Sequence, residues 1–109
     1  MSRQLPYRAV TAHGDVVDVR FALHDETVSP MRVQQLLDVL LHALDREIGV
    51  LGETANGDVL QALCMATAIR ARIIHAPTEV TGQLARELLH SALDGVSRAD
   101  HRPARSGHA

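Results

Sequence analysis

The chain has 109 residues, enough for one small domain with a real core but little surplus. Its apolar content of 46% is that of a globular protein and excludes wholesale disorder. The formal charge is −2, all 11 basic residues are Arg, and acids outnumber arginines over residues 1–96. Such a body lacks the electrostatic footprint of a DNA-binding protein.

Residues 16–23 alternate, with Val17, Val19, Phe21 and Leu23 on one face and Val16, Asp18, Arg20 and Ala22 on the other. That period of two predicts a half-buried strand. Residues 7–12 precede it across His13, Gly14 and Asp15. A two-residue turn at Gly14 and Asp15 would pair Val10 with Val19 and Ala12 with Val17 on one apolar face. The alternative is a single strand preceded by a mobile arm.

Ser29 followed by Pro30 is a helix start, a side-chain N-cap with proline at the first helical position. From there Val33, Leu37, Leu40, Leu44, Ile48 and Leu51 form an apolar stripe, widened on one flank by Leu36, Val39, Ala43 and Val50. Gln34, Gln35, Asp38, His42, Asp45 and Arg46 form the wet side, and Gly49 and Gly52 mark the end. Asn56 and Gly57 make the next turn, with Asp58 as the expected N-cap of a second helix that Pro77 stops near His75.

This second helix, over residues 59–75, has almost no wet side. Only Gln61, Arg72 and His75 cluster into a polar strip, while Arg70 falls inside the apolar arc. A helix that is apolar all round must be covered on all sides, and two amphipathic neighbours in so short a chain cover only part of it. The remaining cover has to come from another chain. A guanidinium on an apolar arc either reaches solvent along the helix edge or pairs with an acid across an interface. Thr78 is the expected cap of a third helix, whose apolar arc is Val80, Leu84, Ala85, Leu88, Leu89, Ala92, Leu93 and Val96, with Gly95 as its stop. The tail, residues 97–109, holds Arg98, Arg102 and Arg105 with no apolar period and is expected to be disordered.

Chemistry-bearing patterns are sparse. Cys64 is the only cysteine, which rules out an intramolecular disulfide, and its mid-helix position predicts a buried small hydrophobe. The local sets Asp38–His42–Asp45 and Glu87–His90 lie on expected solvent faces, where carboxylate–histidine pairs are ordinary. No metal and no cofactor is expected from them. No nucleophile elbow, phosphate-binding glycine loop or two-carboxylate cleft is present, so no enzyme activity is expected. Tyr7 and Phe21 are the only aromatics, too few for a base-stacking surface. The first ten residues lack an apolar signal-peptide region and no run approaches the ~18 apolar residues of a membrane span. A cytoplasmic protein with no membrane contact is expected. A strand followed by helices also suits a small dimeric DNA-binding repressor. The strand, however, offers only Arg20 outward, beside Asp18, and the wet face of the third helix carries one Arg against Glu79, Glu87 and Asp94.

The expected fold is therefore α+β, mostly α: an N-terminal β-hairpin or single strand, then three antiparallel helices, in a homodimer. The layout over residues 16–96, with its excess apolar surface along residues 36–50 and 59–74, resembles the QslA-like small bacterial anti-activators of LuxR-type quorum-sensing regulators. That resemblance implies a dimer that binds a transcription factor and blocks its dimerisation or DNA binding, without itself touching nucleic acid. The residues expected to face another chain are Leu36, Val39, Ala43, Val50, Leu60, Arg70 and Ile74.

Overall fold

A computed structural model describes residues 3–11 and 14–103. The order of elements is β1 (Gln4–Val10), β2 (Val16–Ala22), α1 (Pro30–Leu51), α2 (Asn56–Ile73), α3 (Thr78–Ser97) and β3 (Asp100–Arg102). The α+β class, the hairpin and the three helices agree with the sequence reading. The third strand is a correction. The tail 97–109 is expected to be disordered, yet within it β3 lies antiparallel beside β2, giving the sheet order β1-β2-β3; residues 104–109 lie outside the described residues. The unused edge of β2 offers backbone partners that outweigh the poor strand propensity of Asp100, His101 and Arg102.

The hairpin register also differs from the expected one. Val10 pairs with Val16, Ala9 with Val17, Tyr7 with Val19 and Leu5 with Phe21. The loop is longer than two residues: the Thr11 N–H donates to the Asp15 carbonyl at 2.9 Å, and Thr11 Oγ1 accepts from the Asp15 N–H at 3.0 Å. Because side chains alternate, the three-residue shift puts Leu5, Tyr7 and Ala9 on the inner face and turns Val10 outward. Ala12, the other residue expected there, lies outside the described residues. The inner face of β2 is as read, with Val19 buried and Val17 and Phe21 half-buried.

Each helix boundary has a local cause. Ser29 caps α1 as expected, its Oγ accepting from the Arg32 N–H at 3.1 Å, and Gly52, at φ 86°, ends it with an N–H donated to the Ile48 carbonyl. The other two caps are corrections. The N-cap of α2 is Ala55, without a side-chain bond, and Asp58 sits in the first turn, where its charge favours the positive helix end. Pro77 stands at the N-cap of α3 and Thr78 is its first residue. Nor does Gly95 stop α3. It is buried against β2, where an added Cβ would lie 3.4 Å from the Arg20 carbonyl and 3.5 Å from Phe21 Cδ1. Its missing side chain lets helix and sheet approach closely.

The core sits between the sheet's inner face and α3. Among the described residues only Leu5, Val19 and Thr81 have buried side chains, and α1 and α2 bury none. The small residues Thr81, Gly82, Ala85, Ser91, Ala92 and Gly95 form the covered side of α3. Of the arc expected to be buried, Val80, Leu88, Leu89, Leu93 and Val96 are exposed instead. The reason lies in α1, which meets β1 but comes within reach of neither α2 nor α3. The three helices are thus not one antiparallel bundle: α2 and α3 pair, and α1 stands apart. The radius of gyration, 15.4 Å, exceeds the roughly 13 Å of a compact chain of this length.

Candidate protein-interaction surface

Two anchors position α1 over the sheet. Arg3 of the chain's N-terminal segment donates from Nη2 to the carbonyls of His24, Asp25 and Thr27 at 3.2, 3.3 and 2.9 Å, pinning the connection from β2 to α1. The Tyr7 hydroxyl, on the inner side of β1, donates to Asp38 Oδ1 on α1 at 2.5 Å. Partial burial of the phenol, reinforced by the hydrogen bond and the charge of Asp38, pushes the Tyr7 pKa up to about 12. Asp38 was read as part of the wet side; here it is the tether of the helix. Among the described residues no group of three or more metal-ligating side chains comes together.

With α1 held only along this line, its apolar stripe divides. Leu37, Leu41, Leu44 and Ile48 are half-covered, while Val33, Leu36, Val39, Leu40, Val50 and Leu51 face solvent. Val39 is 64% exposed and Val50 76%. On α2, Leu60, Met65, Ile69 and Ile73 are exposed, as is Ile74 beyond its end. The free Cys64, expected to be buried, is exposed on the same helix.

The residues singled out from the sequence thus fall into two groups. Leu36, Val39, Ala43 and Val50 share one side of α1, all exposed except the half-covered Ala43. Leu60, Arg70 and Ile74 lie on α2 or at its end, and the two helices do not touch. Arg70 is exposed and makes none of the ion pairs among the described residues. Val33, Leu40 and Leu51, expected in the core stripe, belong to the exposed side, because none of the described residues covers them. Glu47 is a further residue of this surface. Its neighbours at three and four positions along α1 are the half-covered Ala43 and Leu44 and the exposed Val50 and Leu51, so this exposed carboxylate stands alone among apolar side chains. Helical spacing alone would have found it.

The outer face of the sheet is polar. Alternation places Arg8, Asp18, Arg20, Asp100 and Arg102 there together. Arg8 donates to Asp18 from Nε at 2.9 Å and from Nη2 at 3.2 Å, and Arg102 approaches the same carboxylate at 3.8 Å. The Arg8 hydrogen bonds and charge hold the Asp18 carboxyl below the usual carboxylate range. Reading only β2, the sequence offered one outward Arg; pairing brings three. No helix among the described residues is long and apolar enough to cross a membrane.

Family models, characterised proteins and solved structures were compared with the chain, and none matches it.

Proposed function

We propose that this chain is a protein-binding regulator, a homodimer that sequesters a LuxR-type transcription factor and blocks its dimerisation or DNA binding, as an anti-activator of quorum sensing. The observation that carries the reading is the unpartnered apolar surface of α1 and α2, on two well-formed helices in which no side chain is buried. Large contiguous apolar faces on a folded chain mark interaction sites, and a helix face needs only a complementary groove or helix. The functional class comes from the resemblance of layout to the QslA-like anti-activators. The test uses the purified protein, a LuxR-type regulator from the same bacterium and its promoter DNA. Added protein should strip the regulator from the promoter, and a stoichiometric complex of the two proteins should appear in solution. A regulator that stays on its promoter at saturating concentrations contradicts the reading.

A dimeric DNA-binding repressor is the second reading, favoured by Arg8, Arg20 and Arg102 on one sheet face. It ranks lower because Asp18 engages two of these three guanidiniums and Asp100 adds a further negative charge. The same experiment without the regulator separates the two. The anti-activator should show only weak retention of DNA that vanishes as salt rises, whereas a repressor should bind one sequence at physiological salt.

A further inference from the structure

We infer that a second copy of this chain covers the exposed face of α1 with its α2, the C-terminal turns of the two helices side by side, so that Glu47 meets the partner's Arg70 and Arg72. The inference rests on the homodimer of the proposed function and is independent of the regulator.

Area is the first support. The chain exposes 8872 Å², about 3,000 Å² more than the roughly 5,900 Å² of a compact monomer of its mass. An obligate homodimer covers on the order of 1,000–2,500 Å² on each copy, so a second copy is an occupant of sufficient size.

Charge is the second. A carboxylate in the middle of an apolar contact is strongly unfavourable when nothing neutralises it. Whatever covers Leu40, Ala43, Val50 and Leu51 must therefore bring a cation, and Arg is the side chain best suited to a desolvated pair. Arg72 borders the exposed strip of α2 formed by Met65, Ile69 and Ile73, and Arg70 lies on its other side, about 60° beyond Ile73 around the helix. The single acid of that helix, Asp58, lies in its first turn. An acid in one apolar face and arginines bordering another are complementary, and twofold symmetry would form the contact twice.

Among the described residues the pair does not form within one chain. Glu47 is one turn from the end of α1, whereas Arg70 lies about 21 Å along α2 from its start at the rise of a helix, and the two helices do not touch. The sheet edge is a poor alternative interface. The Leu23 N–H bonds the Arg3 carbonyl, so alternation turns Pro6 toward the free edge of β1, where it has no N–H to offer. The other edge strand, β3, has three residues.

Sedimentation equilibrium on the purified full chain tests this, with circular dichroism to confirm the fold. Glu47→Arg and the double variant R70E/R72E should each weaken dimerisation by about tenfold or more through like-charge contact. An equimolar mixture of the two should recover the wild-type dissociation constant as a heterodimer, because both contacts are then opposite in sign. The triple variant E47R/R70E/R72E should recover it as a homodimer, and these rescues also show that the variants fold. A dimeric wild type whose dimerisation is unchanged by E47R and by R70E/R72E, or is weakened by them without rescue, overturns this interface and leaves the dimer standing. A monomeric wild type overturns the second copy as the occupant.

Discussion

At the scale of single residues, three positions matter more than their residue types alone indicate. Tyr7 ties α1 to the sheet through Asp38, and its pKa is raised from 10.0 to about 12, with partial burial the largest cause. The folded state favours the neutral phenol, so this contribution to stability is fully present below pH ~10 and is lost as pH rises through about 12. Tyr7→Phe should cost about 1 kcal/mol at neutral pH and abolish that alkaline loss, as measured by urea denaturation between pH 7 and 12. An unchanged alkaline profile would assign the loss to other groups. Gly95 is the second case. Its neighbours leave room for one methyl group at ordinary contact distance and for little beyond. Gly95→Ala should be neutral or stabilising by up to about 1 kcal/mol through helix propensity, whereas Gly95→Leu should cost about 1–3 kcal/mol by prising α3 from β2. A thermal melt of both variants decides it, and equal effects would show that the approach is not tight. Glu47 is the third. The roles of Asp38 and Gly95 do not show in the sequence, because each depends on which element arrives opposite: Asp38 reads as solvent-facing and Gly95 as a helix stop, whereas helical spacing by itself places Glu47 among apolar neighbours.

Elements were easier to read than their partners. The period-two face of β2, the Ser29–Pro30 start of α1 and the Gly52 stop follow from local chemistry, and they stand as read. Register and packing do not follow from local chemistry. The hairpin slipped by three residues because its turn is longer than Gly14 and Asp15, and β3 was invisible because three polar residues become a strand only where an edge receives them. The helix periods located the apolar faces but could not show that α1 stays clear of α2 and α3. Val39 belongs to this scale. It is exposed, so Val39→Asp should leave the helical signal and the unfolding midpoint of the isolated chain unchanged at low concentration. It should nevertheless weaken association by a few kcal/mol, since a charge is forced into an apolar contact. Isothermal dilution or sedimentation measures this, and unchanged association would return that flank of α1 to solvent.

For the whole molecule, the two strongest facts point the same way. The sequence builds a second helix that is apolar on nearly every side, and the structure leaves it, with α1, almost bare. Among the described residues a core of Leu5 and Val19 with Thr81 is small for a chain of this length, and folding draws most of its stability from apolar area removed from water. In the proposed dimer a second copy would restore the balance by covering the exposed helices, and stability would then be inseparable from concentration. Multi-angle light scattering of the purified chain at micromolar concentration measures this most directly. A mass of about twice the 11.8 kDa of the single chain is the predicted result. A monodisperse species of one chain mass that also unfolds cooperatively would contradict it.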